Sequence, residues 1–374
     1  MKWEKKSFDE IGFIGRGKSK HRPRNAPHLY GGEYPFVQTG DIKHSNFRIT
    51  EYSQTYNEVG LSQSKLWKAG TLCITIAANI ADTAILGIDA CFPDSIIGFV
   101  ADDKKSDVRF VKYFFDIFQA RMKSISTGAA QDNLSLEKLL TFKIPTPPLP
   151  TQRRIAEILS AYDDLIENNL KRIKLLEEAA FSSYKLIVKS EKLEEYSIDE
   201  LADVVMGQSP SSNTYTDEKE GLPFHQGVTN FTNYFVENKT YCKVPVKVAE
   251  ANDILFSVRA PVGRINFTQE KICIGRGLCA FRSKNGFQNY FYYQLKEYFF
   301  KEDVIGNGAI FNAVTKSELL KVKLKTPSEK IQSEFEIEAQ TIYNLILNLT
   351  NQNSRLREAR DILLPRLMSG EVEV

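Results

Sequence analysis

Residues 150–187 read PTQRRIAEILSAYDDLIENNLKRIKLLEEAAFSSYKLI, and this stretch decides the fold. Steps of four and three residues along it reach ten positions, of which eight are apolar: Ile155, Leu159, Tyr162, Ile166, Asn169, Ile173, Leu176, Ala180, Ser183 and Ile187. Such a sustained heptad pattern predicts a long helix that packs against a second long helix. At about 1.5 Å of rise per residue, the helix would extend roughly 50 Å.

The second helix is indicated by an internal repeat. Adding 180 to each position gives another set with eight apolar members: Phe335, Ala339, Ile342, Ile346, Leu349, Asn353, Leu356, Arg360, Leu363 and Leu367. Short segments outside the helices repeat as well, such as residues 7–11 with 197–201 and residues 34–38 with 222–226. The chain is therefore predicted to be a duplication in which each globular block precedes a long helix.

The repeat predicts four segments. These are a first globular block (1–148), a first long helix (149–192), a second block (193–327) and a second long helix (328–374). Prolines in residues 145–150 indicate a rigid linker before the first helix, for which Thr151 is the expected N-cap.

Composition narrows the class of protein. The chain has 374 residues, of which 42% are hydrophobic and 26% charged, as in globular proteins. Five cysteines without a CxxC pair indicate reduced thiols, and no run approaches the roughly 18 apolar residues of a membrane span. Because the first residues also lack a signal-peptide pattern, we expect a cytoplasmic protein without membrane association. The net charge of +2 neither requires nor excludes a nucleic-acid partner.

A basic loop lies between Glu10 and Glu33, where no acidic residue occurs. Glycines and prolines indicate a loop rather than a helix. This composition is consistent with contacts to phosphates, and equally with a solvated flexible loop. The candidate phosphate-binding residues are Arg16, Lys18, Lys20, Arg22 and Arg24.

The same loop contains a match to the nucleotide-binding pattern GxxxxGK[ST] at residues 12–19. A phosphate-binding loop of this kind must follow a buried strand and open a helix. Residues 7–11 are half polar, Pro23 interrupts the residues that follow, and the equivalent segment of residues 207–210 lacks the lysine. We therefore predict that the match is coincidental.

Polar residues at predicted strand ends are the best candidates for base recognition in the second block. Arg259, Arg264 and Arg276 lie at turns after apolar segments, either as ion-pair partners or as readers of phosphate and guanine. Amide and hydroxyl side chains nearby have the donors and acceptors that contact adenine or the DNA backbone. This second set comprises Gln208, Ser209, Gln226, Thr229 and Asn230.

Catalytic motifs are not found in the sequence. There is no glycine-rich fingerprint for S-adenosylmethionine, no Asp/Asn-Pro-Pro-aromatic motif, no HExxH and no GxSxG. Asp94, followed by Asp102-Asp103-Lys104, matches a metal-dependent nuclease pattern only loosely, and the second block lacks it. The sequence thus predicts a non-catalytic chain that binds no cofactor or metal itself.

Three segments resemble the specificity subunits of type I restriction-modification enzymes: residues 147–156, 253–263 and 360–371. The resemblance covers the whole chain and implies a mixed α+β fold. In it, two repeated α/β target recognition domains are joined by two long helices that form an antiparallel coiled coil with a pseudo-twofold axis. One departure is the entry to the second helix, Thr326–Gln332, which has one proline where the first has several.

The resemblance also implies a function and partners. Each block would read one half of a bipartite sequence in double-stranded DNA, and the coiled coil would fix the spacer between the half-sites. Two modification subunits would bind S-adenosylmethionine and methylate adenine at N6, and two restriction subunits would translocate and cut DNA. The same protein could also serve a methyltransferase-only assembly.

An alternative from a different class is a coiled-coil adaptor or scaffold without DNA specificity. It predicts no salt-dependent affinity for DNA, whereas a DNA-reading subunit predicts a steep dependence. A nucleotide hydrolase is a third reading, which measurable ATP binding would support.

The polar positions of the heptad pattern predict a register for the helix pair. If the helices are antiparallel, Asn169 faces Asn353 in a buried layer that fixes the register. Tyr162 then faces Arg360, and we expect a cation–π contact between them.

Overall fold

The computed structural model describes residues 3–76, 81–125, 134–299 and 313–374. The chain forms two compact units, the first from residues 1–171 and 349–374 and the second from residues 172–348. Each unit contains one globular head and about half of each long helix. Residues 3–148 are called head 1 and residues 193–327 head 2. The predicted segments follow the order of the chain, whereas the compact units group each head with the helix segments on which it packs.

Among its described residues, head 1 contains eleven strands and five helices, and the first long helix follows directly after it. The strands are β1 (Glu4–Lys6), β2 (Gly12–Arg16), β3 (Tyr30–Phe36), β4 (Arg48–Ile49), β5 (Gln54–Tyr56), β6 (Leu66–Trp67), β7 (Leu72–Thr75), β8 (Thr83–Leu86), β9 (Ala90–Cys91), β10 (Ile96–Ala101) and β11 (Ile144–Thr146). The helices are α1 (Phe8–Ile11), α2 (Thr39–His44), α3 (Glu58–Ser62), α4 (Val108–Ile125), α5 (Leu136–Thr141) and the long α6 (Leu149–Ser190).

The core of head 1 lies between its larger sheet and α4. That sheet has the order β2-β10-β7-β8-β4, and a second sheet has the order β5-β3-β9-β6. The apolar face of α4 contributes Phe110, Val111 and Phe115, which are buried with Phe8 and Phe99. The buried aromatics of α4 thus belong to the core rather than to a base-stacking surface.

Head 2 contains a second set of eleven strands and three short helices in the described residues. The strands are β12 (Glu194–Ser197), β13 (Ala202–Met206), β14 (Tyr215–Thr216), β15 (Leu222–His225), β16 (Tyr241–Cys242), β17 (Val248–Ala249), β18 (Ile254–Ser257), β19 (Ile265–Phe267), β20 (Ile272–Ile274), β21 (Leu278–Ser283) and β22 (Lys323–Thr326). The helices are α7 (Ile198–Leu201), α8 (Gln288–Phe299) and α9 (Lys316–Leu320), after which the second long helix α10 covers Glu329–Ser369.

The duplication extends to the hydrogen-bonded topology of the two heads. The order β13-β21-β18-β19 in head 2 repeats the order β2-β10-β7-β8 in head 1. The parallel pairing of β15 with β20 repeats that of β3 with β9. Each head is also closed by an antiparallel pair of its first and last strands, β1 with β11 and β12 with β22. The predicted internal repeat is therefore a structural repeat.

The entry to the first long helix differs from the sequence-based expectation. Helix α6 begins at Leu149, so Thr151 is not its N-cap. Pro150 is accommodated because N–H groups in the first turn of a helix have no intrahelical partner. Residues 144–146 are not a free linker, since they form β11 against β1. Buried Gln152 fixes the junction by donating from Nε2 to the carbonyl of Pro147 at 2.9 Å and that of Lys105 at 3.1 Å.

The long helices pack antiparallel within each unit. In the first unit, Ile155 and Leu159 near the start of α6 are buried with Leu367 and Met368 near the end of α10. In the second unit, the end of α6 meets the start of α10, where the rings of Tyr184 and Phe335 lie 6.3 Å apart. The antiparallel arrangement predicted from the heptad patterns is thus observed in each unit.

Of the two polar contacts predicted between the long helices, the structure contains one. Nδ2 of Asn169 donates to Oδ1 of Asn353 at 3.0 Å, as the predicted register requires. The predicted contact between Tyr162 and Arg360 is wrong, because the Arg360 guanidinium instead pairs with Asp163 and Asp361. Asp163 is buried, and a buried carboxylate without a cation is strongly destabilising. The guanidinium of Arg360 therefore pairs with this carboxylate rather than with the ring of Tyr162.

Candidate nucleic-acid interface

Four chain segments of head 2 converge just beyond the ends of β13, β15, β18 and β20. The N–H of Gly275 donates to the carbonyl of His225 at 2.8 Å, and the N–H of Gln208 donates to that of Ile274 at 3.0 Å. The N–H of Val258 donates to the carbonyl of Gly277 at 3.0 Å. These backbone bonds bring the predicted polar residues of four separate segments to one place.

Glycines allow these segments to approach so closely. A Cβ atom on Gly207 would lie 2.2 Å from the carbonyl oxygen of Gly275, and one on Gly277 would lie 2.4 Å from that of Gln226. Both distances are far inside van der Waals contact with backbone atoms, which cannot easily move. The local backbone therefore requires glycine at these two positions.

The converging segments form a cleft of about 250 Å³, which we call the arginine cleft. Its lining residues are Gln226, Gly227, Val228, Ser257, Arg259, Ala260, Arg276 and Gly277. Within the described part of the chain, neither guanidinium of this cleft forms an ion pair. By contrast, Arg282 at the far end of β21 is bound by the buried carboxylate of Asp253 at 2.8 Å. Of the two readings of the arginines, ion-pair partner or ligand reader, Arg259 and Arg276 fit the second.

A hydroxyl orients one amide in the arginine cleft. The N–H of Arg276 donates to Oγ of Ser209 at 3.2 Å. That hydroxyl donates in turn to Oε1 of Gln226 at 2.9 Å. Because the amide oxygen of Gln226 faces Ser209, its Nε2 group points away from Ser209 and can donate hydrogen bonds.

The remaining candidates of head 2 lie elsewhere. Arg264 lines a separate cavity of about 500 Å³ together with Glu177, Tyr292 and Lys296. Thr229 and Asn230 lie in a single helical turn, Val228–Asn230, and are not among the residues that line the arginine cleft. Gln208 has an exposed side chain and contributes its backbone N–H to the convergence described above.

The basic loop of head 1 occupies the equivalent place in the first repeat. The N–H of Gly17 donates to the carbonyl of Ile96, as that of Gly207 does to Leu278, with 2.9 Å in both cases. The N–H of Lys18 donates to the carbonyl of Phe92 at 2.9 Å, as that of Gln208 does to Ile274. These matching bonds make Lys18 the counterpart of Gln208 and, one residue further, Ser19 the counterpart of Ser209.

Two of the five basic side chains in this loop are already close to a carboxylate of the protein. Nη2 of Arg24 pairs with Asp94 at 2.5 Å, and Nη2 of Arg22 lies 3.7 Å from the same carboxylate. Among the described residues, Arg16, Lys18 and Lys20 form no ion pair. The local sequence around Asp94 does not indicate that its carboxylate neutralises this loop, because Asp94 and Arg24 lie 70 positions apart.

Residues 12–19, which match the nucleotide-binding pattern, do not form a phosphate-binding loop. The first five of these residues form β2, and the next helical element along the chain is the single turn Pro27–Leu29. No helix N-terminus is available there to hold a phosphate. The loose nuclease pattern has a similar explanation, since Asp94 pairs with the arginines and Asp102 accepts from the N–H of Lys104.

A buried histidine lies directly before Gln226. Burial lowers the pKa of His225 below its ordinary value of 6.5, and a hydrogen bond of 2.8 Å between Nε2 and Oδ1 of Asn238 partly opposes this shift. The imidazole is therefore neutral at physiological pH. In the described residues, no group of three or more histidine, cysteine or acidic side chains is arranged to hold a metal ion. None of the described helices has the length and apolarity needed to cross a membrane.

Comparisons with known proteins agree with this architecture. The family model described as the type I restriction modification DNA specificity domain matches residues 1–178 and again residues 190–356. The two matches correspond to the two repeats of the structure. Together they cover most of the chain.

Individual relatives point the same way. The chain is 34% identical to the type I restriction enzyme MjaX specificity subunit of Methanocaldococcus jannaschii, over 65% of this chain and 62% of that relative. It is 23% identical to the MjaIX specificity subunit of the same organism, over 100% of this chain and 94% of that relative. The crystal structure of an S subunit from M. genitalium has the same fold, with 17% identity, a TM-score of 0.57 and coverage of 98% and 96%. On the strength of the family match over both repeats, this chain belongs to the type I restriction-modification DNA specificity subunits.

Proposed function

We propose that this chain reads a bipartite DNA sequence, one half with each head, and thereby directs adenine methylation and restriction by partner subunits. The observation that carries the proposal is the arginine cleft. It holds two exposed guanidinium groups that the described residues leave without a carboxylate partner. Charged side chains of this kind at strand ends are suited to phosphate oxygens and base edges.

Phosphate contacts and base contacts would come from different residues. Arg16, Lys18 and Lys20 of head 1 supply positive charge for the sugar-phosphate backbone, which positions the head without reading sequence. Arg259, Arg276 and Gln226 have the fixed donors needed to read base edges. Head 2 would therefore contribute more of the base recognition through this particular cleft.

Partner subunits would supply the chemistry. Two modification subunits would bind S-adenosylmethionine and methylate adenine, and two restriction subunits would translocate and cut DNA. The chain itself would bind no cofactor and catalyse no step, and the assembly would act in the cytoplasm. Support for partner subunits comes from the family match, because the matched specificity domain belongs to type I restriction-modification systems. That the helix pair sets the spacer between half-sites stays a prediction.

DNA binding by the chain in complex with its modification subunits tests the proposal. Affinity for the target should fall steeply with salt, and replacing Arg16, Lys18 and Lys20 together by alanine should reduce the slope by about one per lost phosphate contact. Replacing Lys239 by alanine, an exposed lysine of head 2 that pairs with Glu237, is the matched control. A scaffold without DNA specificity predicts instead no salt-dependent affinity for DNA.

A further inference from the structure

We propose that the arginine cleft of head 2 recognises a guanine through its major-groove edge and discriminates against adenine. This inference rests on the proposed DNA-reading function and adds the identity of a base. Guanine presents two acceptors in the major groove, N7 and O6. Adenine presents one acceptor and one donor, N7 and N6, so its recognition requires an acceptor on the protein.

The exposed side chains of the cleft supply donors. Each guanidinium of Arg259 and Arg276 carries five N–H groups and no acceptor. Nε2 of Gln226 adds further donors, and no acceptor within the described residues takes a hydrogen bond from it. A base edge with two acceptors therefore matches the three side chains that project into the cleft.

Several oxygen acceptors that line the cleft already accept a hydrogen bond within the protein. Oε1 of Gln226 accepts from the hydroxyl of Ser209, whose Oγ already accepts from the N–H of Arg276. The hydroxyl of Ser257, also in the lining, donates to the carbonyl of Pro261 at 2.6 Å and accepts from the N–H of Arg264 at 2.8 Å. The carbonyls of Gln226 and Gly277 accept backbone bonds from Gly277 and Val258. The N6 amino group of adenine would therefore meet the exposed donors of Arg259, Arg276 and Gln226.

Head 1 provides an internal comparison. Asp94 follows Phe92 by two residues, as Arg276 follows Ile274, so a carboxylate occupies the place of the cleft arginine. The serine counterpart also differs, since buried Ser19 lies 3.4 Å from the hydroxyl of Tyr56 rather than against an amide. The donor-only arrangement is therefore a property of head 2, and the two heads would read chemically different bases.

Modified DNA tests this inference directly. The full-length chain, co-purified with its modification subunits, would first select its target from a library of random sequences. Each selected guanine would then be replaced by 7-deazaguanine, which lacks the N7 acceptor. We expect one guanine in one half-site at which this replacement weakens binding about 10-fold or more, in line with the value of a bidentate contact.

Variants assign that guanine to the cleft. Arg259→Ala and Arg276→Ala should each abolish the effect of 7-deazaguanine at that position and leave the other half-site unchanged. Ser209→Ala frees Oε1 of Gln226 and should reduce the preference for guanine over adenine about 10-fold. Lys239→Ala is the control, and unchanged binding to the other half-site shows that each variant is folded.

The outcomes separate this inference from the proposed function. If the wild-type complex selects no sequence at all, the DNA-reading function itself fails. If it selects a bipartite target in which no guanine depends on N7, or in which that dependence survives Arg259→Ala and Arg276→Ala, the function stands and the guanine assignment is wrong.

Discussion

Asn169 of α6 and Asn353 of α10 are joined by a hydrogen bond of 3.0 Å from Nδ2 to Oδ1, and both side chains are buried. In the described residues, Nδ2 of Asn353 itself has no partner. The layer thus leaves one buried donor unsatisfied. Such an amide layer favours one register because any shift of a helix would leave further amides unpaired among apolar groups.

Replacing one member of this layer should destabilise the first unit. In Asn353→Leu, Asn169 loses its 3.0 Å acceptor, and we expect the free energy of unfolding to fall by about 1–3 kcal/mol. Asn351→Leu, at an exposed position of the same helix, should change it by less than about 0.5 kcal/mol. Urea unfolding followed by circular dichroism measures both, and equal midpoints for the two variants would contradict this account.

An ion pair between the partly buried Arg360 and the buried Asp163 joins the same two helices near head 1. Asp163 accepts from the hydroxyl of Tyr113 at 2.5 Å and also pairs with Arg360. Arg360→Met should remove about 3–5 kcal/mol of stability, because it leaves the carboxylate buried without its cation. Arg360→Met combined with Asp163→Leu should recover a large part of that loss. Urea unfolding of the two single variants and the double variant gives the coupling, and simple additivity would argue against a buried pair.

In the second unit, a carboxylate of α10 caps the start of α8. Glu336 accepts from the N–H groups of Asn289 and Tyr290, both at 3.0 Å, and from Nδ2 of Asn289 at 2.8 Å. Glu336→Ala should cost about 1–3 kcal/mol because the helix loses partners for its first N–H groups. Hydrogen exchange of residues 288–299 should accelerate accordingly. Exposed Glu338→Ala on the same helix is the control, and equal exchange in both variants would refute the capping role.

The lowered pKa of His225 predicts how the second unit responds to acid. The unfolded chain binds this proton as the pH falls through about 6.5, whereas the folded protein binds it only at lower pH. The contribution of His225 to stability is thus fully present above pH 6.5 and is lost as the pH falls toward its folded pKa. In NMR, the His225 ring should titrate below 6.5.

A variant separates this effect from general acid sensitivity. His225→Gln should show a smaller loss of stability between pH 7.5 and 5.5 than the wild type, whereas His44→Gln, at an exposed position, should keep the wild-type dependence. Chemical unfolding at the two pH values provides the comparison. A ring of His225 that titrates at or above 6.5 would show that burial does not control its protonation.

The one-dimensional pattern predicts the helices well and their individual partners less well. The heptads place Asn169 opposite Asn353 because a single period governs both helices. The same heptad pattern places Arg360 opposite Tyr162, whereas its partner is Asp163, the next residue along the chain. The choice between them depends on Tyr113, which lies 50 residues away on α4 and holds the buried carboxylate.

The candidate site shows the same limit. Apolar runs followed by turns correctly identify Arg259 and Arg276 as residues at strand ends. They do not show that Arg264 lines a different cavity, because the direction of each turn depends on packing between strands that are distant in sequence. The role of Ser209 in orienting Gln226 also spans 17 positions and has no local signature.

The most direct test of the central claim is a map of N6-methyladenine in DNA from cells that express this chain together with its modification subunits. We predict methylation within a bipartite motif that disappears when the chain is omitted. With Arg259→Ala and Arg276→Ala combined, only one half of that motif should change or relax. Methylation that does not depend on the chain, or a single contiguous motif, would contradict the proposal that the two heads read two half-sites.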